Sequence, residues 1–163
     1  MRHTREMATL RRSLQLLRSF RFEQTHPEIF YGGLAEDTAA LVDNLGRDLG
    51  VQLPGARVLD VGGGPGYFAD AFARRGAHYV GLEPDAGEMS AAGIHLSNSV
   101  RGDGTNLPFA DDSFDVVYSS NVAEHIPNPW DMGEEMLRVT RPGGLTILSY
   151  TVWLGPCLFY TSD

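Results

Sequence analysis

The stretch Val58-Leu59-Asp60-Val61-Gly62-Gly63-Gly64-Pro65-Gly66 limits the folds open to this 163-residue chain more than any other. Its first half reads as a buried strand that begins at Arg57, and its glycines read as a tight turn. A helix through Arg75 should follow. A glycine turn at that junction lets backbone approach a ligand closely and aims helix N–H groups at it. The same alternation then recurs downstream. His78 to Glu83 reads as a strand, Pro84-Asp85 opens a helix running to about His95, and a short strand covers Asn98 to Gly102. Phe114 to Ser119 is the fourth strand. Asn128 is expected to cap a helix with Pro129 in its first turn, ending before Arg141-Pro142-Gly143-Gly144, and Leu145 to Tyr150 is the fifth strand. Strands alternating with helices imply right-handed crossovers and a sheet covered on both faces. The expected fold class is therefore α/β, a doubly wound parallel sheet of five strands.

Two helices should precede this pattern. Leu10, Leu14 and Leu17 recur at helical spacing within Met7 to Phe22, and Leu41, Val42, Leu45 and Leu49 mark a helix from about Glu36. Between them, His26-Pro27 and Ile29-Phe30-Tyr31-Gly32-Gly33 read as a loop. All 13 basic side chains are arginine, and Arg2, Arg5, Arg11, Arg12, Arg18 and Arg21 stand in the first 21 residues beside one acid, Glu6. That segment carries +5, leaving −13 for the rest of a chain whose total is −8. The leading expectation is a helix that lays its leucines on the domain and turns its arginines to solvent. A membrane-surface or substrate-gating helix and an organelle transit peptide are the alternatives.

Composition removes several function classes. A net charge of −8 argues against a protein that grips nucleic-acid phosphates. The lone Cys157 excludes an internal disulfide framework and a multi-cysteine zinc site, and points to a reducing compartment, the cytoplasm. No apolar run is long enough to span a bilayer. The absence of lysine removes Schiff-base chemistry and lysine-dependent phosphate loops.

The turn itself separates two ligand classes. A dinucleotide fingerprint needs glycine at its first, third and sixth positions, and here Gly62 and Gly64 are followed by Tyr67. Asp60 at the strand end would repel a pyrophosphate and favour a cationic ligand. Glu83, twenty-one residues after Gly62, stands where an acid can accept hydrogen bonds from both ribose hydroxyls. Asp103, between Gly102 and Gly104, can accept one from an adenine amino group, with Leu107 and neighbouring backbone lining the ring. Asp111, Asp112 and Asp115 read as loop and strand-entry residues, and no metal site is expected.

These motifs, in this order, resemble the class I S-adenosylmethionine-dependent methyltransferases, in particular the branch called methyltransferase type 11. The resemblance covers about Tyr31 to Tyr150. Asp60 to Gly66 is similar to the family's first motif, with Gly63 where cysteine or serine is common. Phe114 to His125 resembles its fourth-strand motif, and Leu137 to Gly144 the helix and turn before strand five. The resemblance implies a Rossmann-like methyltransferase fold and S-adenosylmethionine as cofactor. It implies cofactor contacts from Tyr31, Asp60, Gly62, Gly64, Gly66, Glu83, Pro84, Asp103, Gly104 and Asn121. His125 is the candidate catalytic base, against a reading in which Glu124-His125 closes the pocket as a polar helix start.

Three parts are expected: residues 1–50 as a helical cap over the pocket, 51–152 as the S-adenosylmethionine-binding core, and 153–163 as a short apolar tail. Strand four ends in Ser119-Ser120-Asn121-Val122, without the Asn/Asp-Pro-Pro-aromatic signature of enzymes that methylate nucleic-acid bases. The expected acceptor is accordingly a small or lipid-like molecule. Family members usually add two strands after the fifth, and residues 151–163 cannot supply them. A truncated domain is therefore expected, with a strand-five edge open to a second copy. The rival functions are a catalytically weak or inactive cofactor-binding module and a nicotinamide-dependent oxidoreductase.

Overall fold

The computed structural model describes residues 2–22, 25–90 and 98–149. The expected helix end near His95 and everything after Ser149 lie outside that set. Within it, the apolar runs pair as a parallel sheet. Its strands are β1 (Arg57–Val61), β2 (His78–Glu83), β3 (Ser99–Arg101), β4 (Phe114–Ser120) and β5 (Thr140–Ser149), in the order β3-β2-β1-β4-β5. Val58 faces Tyr79 on one side and Val116 on the other, so β1 lies at the centre. The expected five-stranded doubly wound sheet is the fold observed.

Alternate residues of the central strands point to opposite faces, and each face has its own core. Val58, Tyr79, Val116 and Tyr118 pack under Phe72, Ala35, Ala39 and Val42. Leu59, Val61, Leu82 and Val117 pack under Met132, Met136 and Val139. The covering helices are α3 (Pro27–Leu49) and α4 (Ala69–Ala73) on the first face and α6 (Pro129–Val139) on the second. α5 (Ala86–Ser90) follows β2.

Several boundaries differ from expectation. Residues 29–33 are not a loop. They form the opening turns of α3, which Pro27 starts and Gly50 ends in the left-handed conformation (φ +86°). The buried face of that helix is Phe30, Ala35, Ala39, Val42 and Gly46; of the expected stripe Val42 is buried and Leu45 packs half-buried against the core, while Leu49 is exposed. Small residues bring the helix close to the sheet. At Gly46 the close approach is to the chain leaving the helix, where a Cβ would stand 2.6 Å from the Val51 carbonyl oxygen. Burial of this face overrides the local preference of Gly32-Gly33 for a loop.

The helix after the glycine turn ends at Ala73, two residues short of Arg75. Asn128 precedes α6 without capping it, and its amide donates instead to Asp131 Oδ2 at 2.5 Å. The turn expected at Arg141 to Gly144 is absorbed into β5. Phe114 pairs with Thr140 and Val116 with Leu145, so the extra residues swell out of the ladder there.

The N-terminal expectation is reversed. The segment expected as a helix, Met7 to Phe22, holds α2 (Leu10–Ser19) and a 3₁₀ turn (Phe20–Phe22), and a further helix, α1 (Arg2–Glu6), precedes it. Leu10, Leu14 and Leu17 are exposed, and it is Arg12 that faces the domain, its Nε donating to Asp37 Oδ1 on α3 at 2.6 Å. α1 is held by Asp48, which accepts from the His3 and Thr4 backbone N–H groups at 3.0 and 2.9 Å.

Candidate functional site

The chain leaves β1 toward β2 and β3 on one side, then returns to place β4 on the other. At that reversal of strand order, the carboxyl ends of β1 and β4 flank a crevice in which open α/β sheets bind ligands. The glycine turn lies on the β1 side. Gly62 and Gly63 N–H donate to the Leu82 carbonyl at 2.8 and 3.1 Å, locking the turn onto β2. Gly62, Gly64 and Gly66 all have positive φ (+82°, +52° and +91°), which a side chain would strain.

The three glycines are not equivalent in space. A Cβ at Gly62 would stand 2.3 Å from Val122 Cγ2, so the segment after β4 closes directly on the turn. At Gly64 no atom lies within 4 Å of that position, leaving backbone open toward the crevice. Gly64 N–H donates to Glu83 Oε2 at 3.1 Å, and Asp85 N–H to Glu83 Oε1 at 3.1 Å. Two backbone donors therefore fix the Glu83 carboxylate beside the turn, with lone pairs left for further donors. Pro84 is exposed, and its carbonyl accepts from Arg101 Nε at 3.0 Å.

Asp60 lies beneath the turn, on the α3 face of the sheet. It is buried, and its Oδ2 accepts from the Tyr79 and Tyr118 hydroxyls at 2.7 and 2.5 Å. Burial pushes its carboxyl up to about 6 against these bonds, with the nearby Glu83 charge adding to the rise. Both tyrosines are raised well above 10, first by burial and then by the Asp60 charge. A Cβ at Gly63 would stand 3.0 Å from Tyr79 Oη and 3.1 Å from Asp60 Oδ2, so the turn rests on this cluster. Asp60 therefore acts on the crevice through charge and through the turn it supports.

The third motif follows β3, at the same carboxyl end of the sheet as Glu83. Asp103 is exposed, and its Oδ1 accepts from Thr105 N–H and Oγ1 at 2.8 and 2.9 Å, bonds that hold its carboxyl below the usual range. Gly104 is buried, and a Cβ there would meet Val61 Cγ1 at 3.1 Å, so its missing side chain serves core packing. Leu107 belongs to the core at 3% exposed, which corrects the expectation that it lines a ligand ring. Asn121 has φ +58° and its N–H donates to the Ser149 carbonyl at 3.0 Å, turning the chain sharply after β4. His125 is exposed in the short 3₁₀ turn Ala123–His125 that follows.

Tyr31 is stacked on Tyr67, with ring centroids 4.7 Å apart and planes 7° from parallel. Tyr67 is the residue that stands in place of the third dinucleotide glycine. Its ring joins α3 to the glycine turn, filling the point where close helix–strand approach would need glycine. Sequence reasoning named Tyr31 and missed this partner; an aromatic next to the turn was the available signal. It also missed Arg138, which donates to the Leu107 and Phe109 carbonyls at 3.0 and 2.9 Å and to Asp111 at 2.7 Å, pinning the 107–111 loop to α6. Asp115 pairs with Arg141 at 2.5 Å and accepts from Arg57 N–H at 2.7 Å, as a strand-entry residue should. Among the described residues no group of three or more His, Cys, Asp or Glu could hold a metal ion.

Residues 59–148, the stretch that builds this sheet and crevice, match the family model of the methyltransferase domain. The chain belongs to the methyltransferase family. A protein of Mycolicibacterium gilvum named "uncharacterized methyltransferase" is 63% identical to this methyltransferase domain over 154 residues, which are 91% of the chain and 60% of the relative. The domain thus spans about 60% of the length of such relatives. Among solved structures, the S-adenosylmethionine-dependent methyltransferase of Mesorhizobium loti shares the fold. Its TM-score is 0.54 at 23% identity, covering 67% of this chain and 52% of that one. The [4+2]-cyclase SpnF superposes with a TM-score of 0.51 at 29% identity over 58% of this chain and 38% of its own.

Proposed function

We propose that this domain binds S-adenosylmethionine in the β1/β4 crevice and transfers its methyl group to a small-molecule or lipid-like acceptor. The observation that carries the reading is the Glu83 carboxylate, fixed by Gly64 and Asp85 N–H groups beside an open stretch of glycine backbone. That cradle suits a ribose approached by bare backbone. The buried Asp60 charge beneath it and the Tyr67 ring at the third glycine position disfavour a pyrophosphate. The cofactor, when bound, supplies a methyl group already activated on a sulfonium.

In this reading Glu83 accepts the ribose hydroxyls and Asp103 the adenine amino group. Tyr31, stacked on Tyr67, encloses the methionine end, while Gly62, Gly64, Gly66, Pro84, Gly104 and Asn121 shape the backbone around it. Asp60 biases the turn toward a cation. The protein's task is then alignment of acceptor and methyl, which can provide much of the rate without a strong base. No helix among the described residues is long and apolar enough to cross a membrane, and the lone cysteine favours the cytoplasm as the site of action.

Calorimetric titration with S-adenosylmethionine, S-adenosylhomocysteine and NADH tests the reading. The first two should bind and NADH should not. Glu83→Ala should weaken S-adenosylmethionine by about 1–3 kcal/mol, the scale of a hydrogen bond to a charged group. NADH binding, or unchanged cofactor affinity in the folded variant, would refute the site. A second reading, cofactor binding without turnover, is favoured by the exposure of His125, the one candidate base. It predicts the same titrations and no methyl transfer to any acceptor.

A further inference from the structure

α2 is anchored by its back. Arg12, Leu16 and Ser19 are half-buried toward the domain, with Arg12 bonded to Asp37 on α3. Leu10, Leu14 and Leu17 fall on one stripe of a 3.6-residue helix and point away, at 76%, 43% and 62% exposed. Arg11 and Arg18 run along one flank of the stripe, and α2 contains no acid. Arg2, Arg5 and Arg21 are exposed nearby in sequence, Arg21 lying 4.6 Å over the Phe22 ring. Three leucines turned outward beside cations are costly in water, while Arg12, bonded to Asp37, faces the domain in their place.

Charge decides between occupants. The first 21 residues carry +5 and the remainder −13. An anionic surface attracts only this end of the molecule and repels the rest, so attraction also sets orientation. A second copy docking symmetrically, α2 on α2, would bring a like-charged segment against it. Arginine at the border of an apolar stripe suits a lipid interface, because its stem lies along the apolar layer while the guanidinium reaches phosphate.

We propose that α2 docks the domain onto an anionic phospholipid surface, with Leu10, Leu14 and Leu17 entering the headgroup boundary and Arg11 and Arg18 on the phosphates. The proposal is independent of the cofactor reading. Co-sedimentation of the full chain with phosphatidylglycerol/phosphatidylcholine vesicles, against pure phosphatidylcholine, tests it at low and high salt. Binding should require the anionic lipid and be lost in about 0.5 M salt, where the screening length is only a few ångströms. Leu14→Glu with Leu17→Glu, and separately Arg11→Gln with Arg18→Gln, should each weaken binding about fivefold or more. Both variants should keep the wild-type circular dichroism and melting temperature. Absence of binding to anionic vesicles would overturn the proposal, as would binding that the leucine variant leaves intact. Light scattering adds a third arm. Self-association abolished by the leucine variant, without vesicle binding, would assign the stripe to a second copy and overturn the lipid assignment.

Discussion

Asp60 shows how much of the site's chemistry is set by a residue that lies beneath it. The fold holds its carboxyl up at about 6, chiefly by burial, so folding disfavours the charged form. Its contribution to stability is therefore full below the unfolded aspartate range, near pH 4, and is lost as pH rises through 6. Between those limits the wild type should lose about 3 kcal/mol relative to Asp60→Asn, which does not titrate. Denaturant unfolding of both proteins at pH 4 and pH 7 measures the difference; parallel pH profiles would show that Asp60 does not titrate in that window. His125 bears on turnover instead. A general base contributes about 10²–10⁴-fold, whereas exposed His125 is expected to contribute less than about fivefold. Single-turnover rates of His125→Ala, on an acceptor that the wild type methylates, decide. The sequence made Asp60 and Glu83 legible as acids at strand ends. It concealed the Tyr79 and Tyr118 hydroxyls, because their spacing from Asp60 along the chain says nothing of their meeting across three strands.

The glycine turn separates structural from ligand-facing glycines at the scale of one element. Gly62→Ala would combine strained φ with a 2.3 Å approach to Val122, whereas Gly64→Ala carries the backbone strain alone. Thermal unfolding should show Gly64→Ala costing about 1–2 kcal/mol, the penalty of left-handed backbone, and Gly62→Ala clearly more. S-adenosylmethionine affinity should fall in Gly64→Ala despite its milder effect on the fold. Equal destabilisation of the two would mean that Val122 moves aside freely. The strands were legible because apolar runs between turn residues leave few other readings. α3 was misread at its start because Gly32-Gly33 signals a loop locally, and only the burial of Phe30, Ala35 and Ala39 reveals the helix. α2 is legible as an amphipathic helix, but its facing is not: Arg12, bonded to Asp37, and half-buried Leu16 and Ser19 meet the domain in place of the leucine stripe.

For the whole molecule, the sheet ends at β3 on one side and at the ten-residue β5 on the other, among the described residues. Leu148 on that outer strand is exposed. An outer strand of this length is a template for pairing with a second copy. We expect concentration-dependent association in light scattering, reduced by Leu148→Lys, which places a charge on the edge. A monomer at all concentrations would remove the edge from consideration.

The position of β1 bears on the order of assembly. It pairs with β2, about twenty residues on, and with β4, fifty-eight residues on. Closing the longer loop costs more chain entropy, so the β1–β4 seam should be the later of the two to form and the slower to be rewarded. The crevice lies along that seam. A ligand held there grips the two halves of the sheet at their latest junction, and it stabilises the folded chain by an amount that rises with the logarithm of its concentration above Kd. On the proposed reading, cofactor supply would govern how long each copy survives proteolysis, in addition to how fast it turns over.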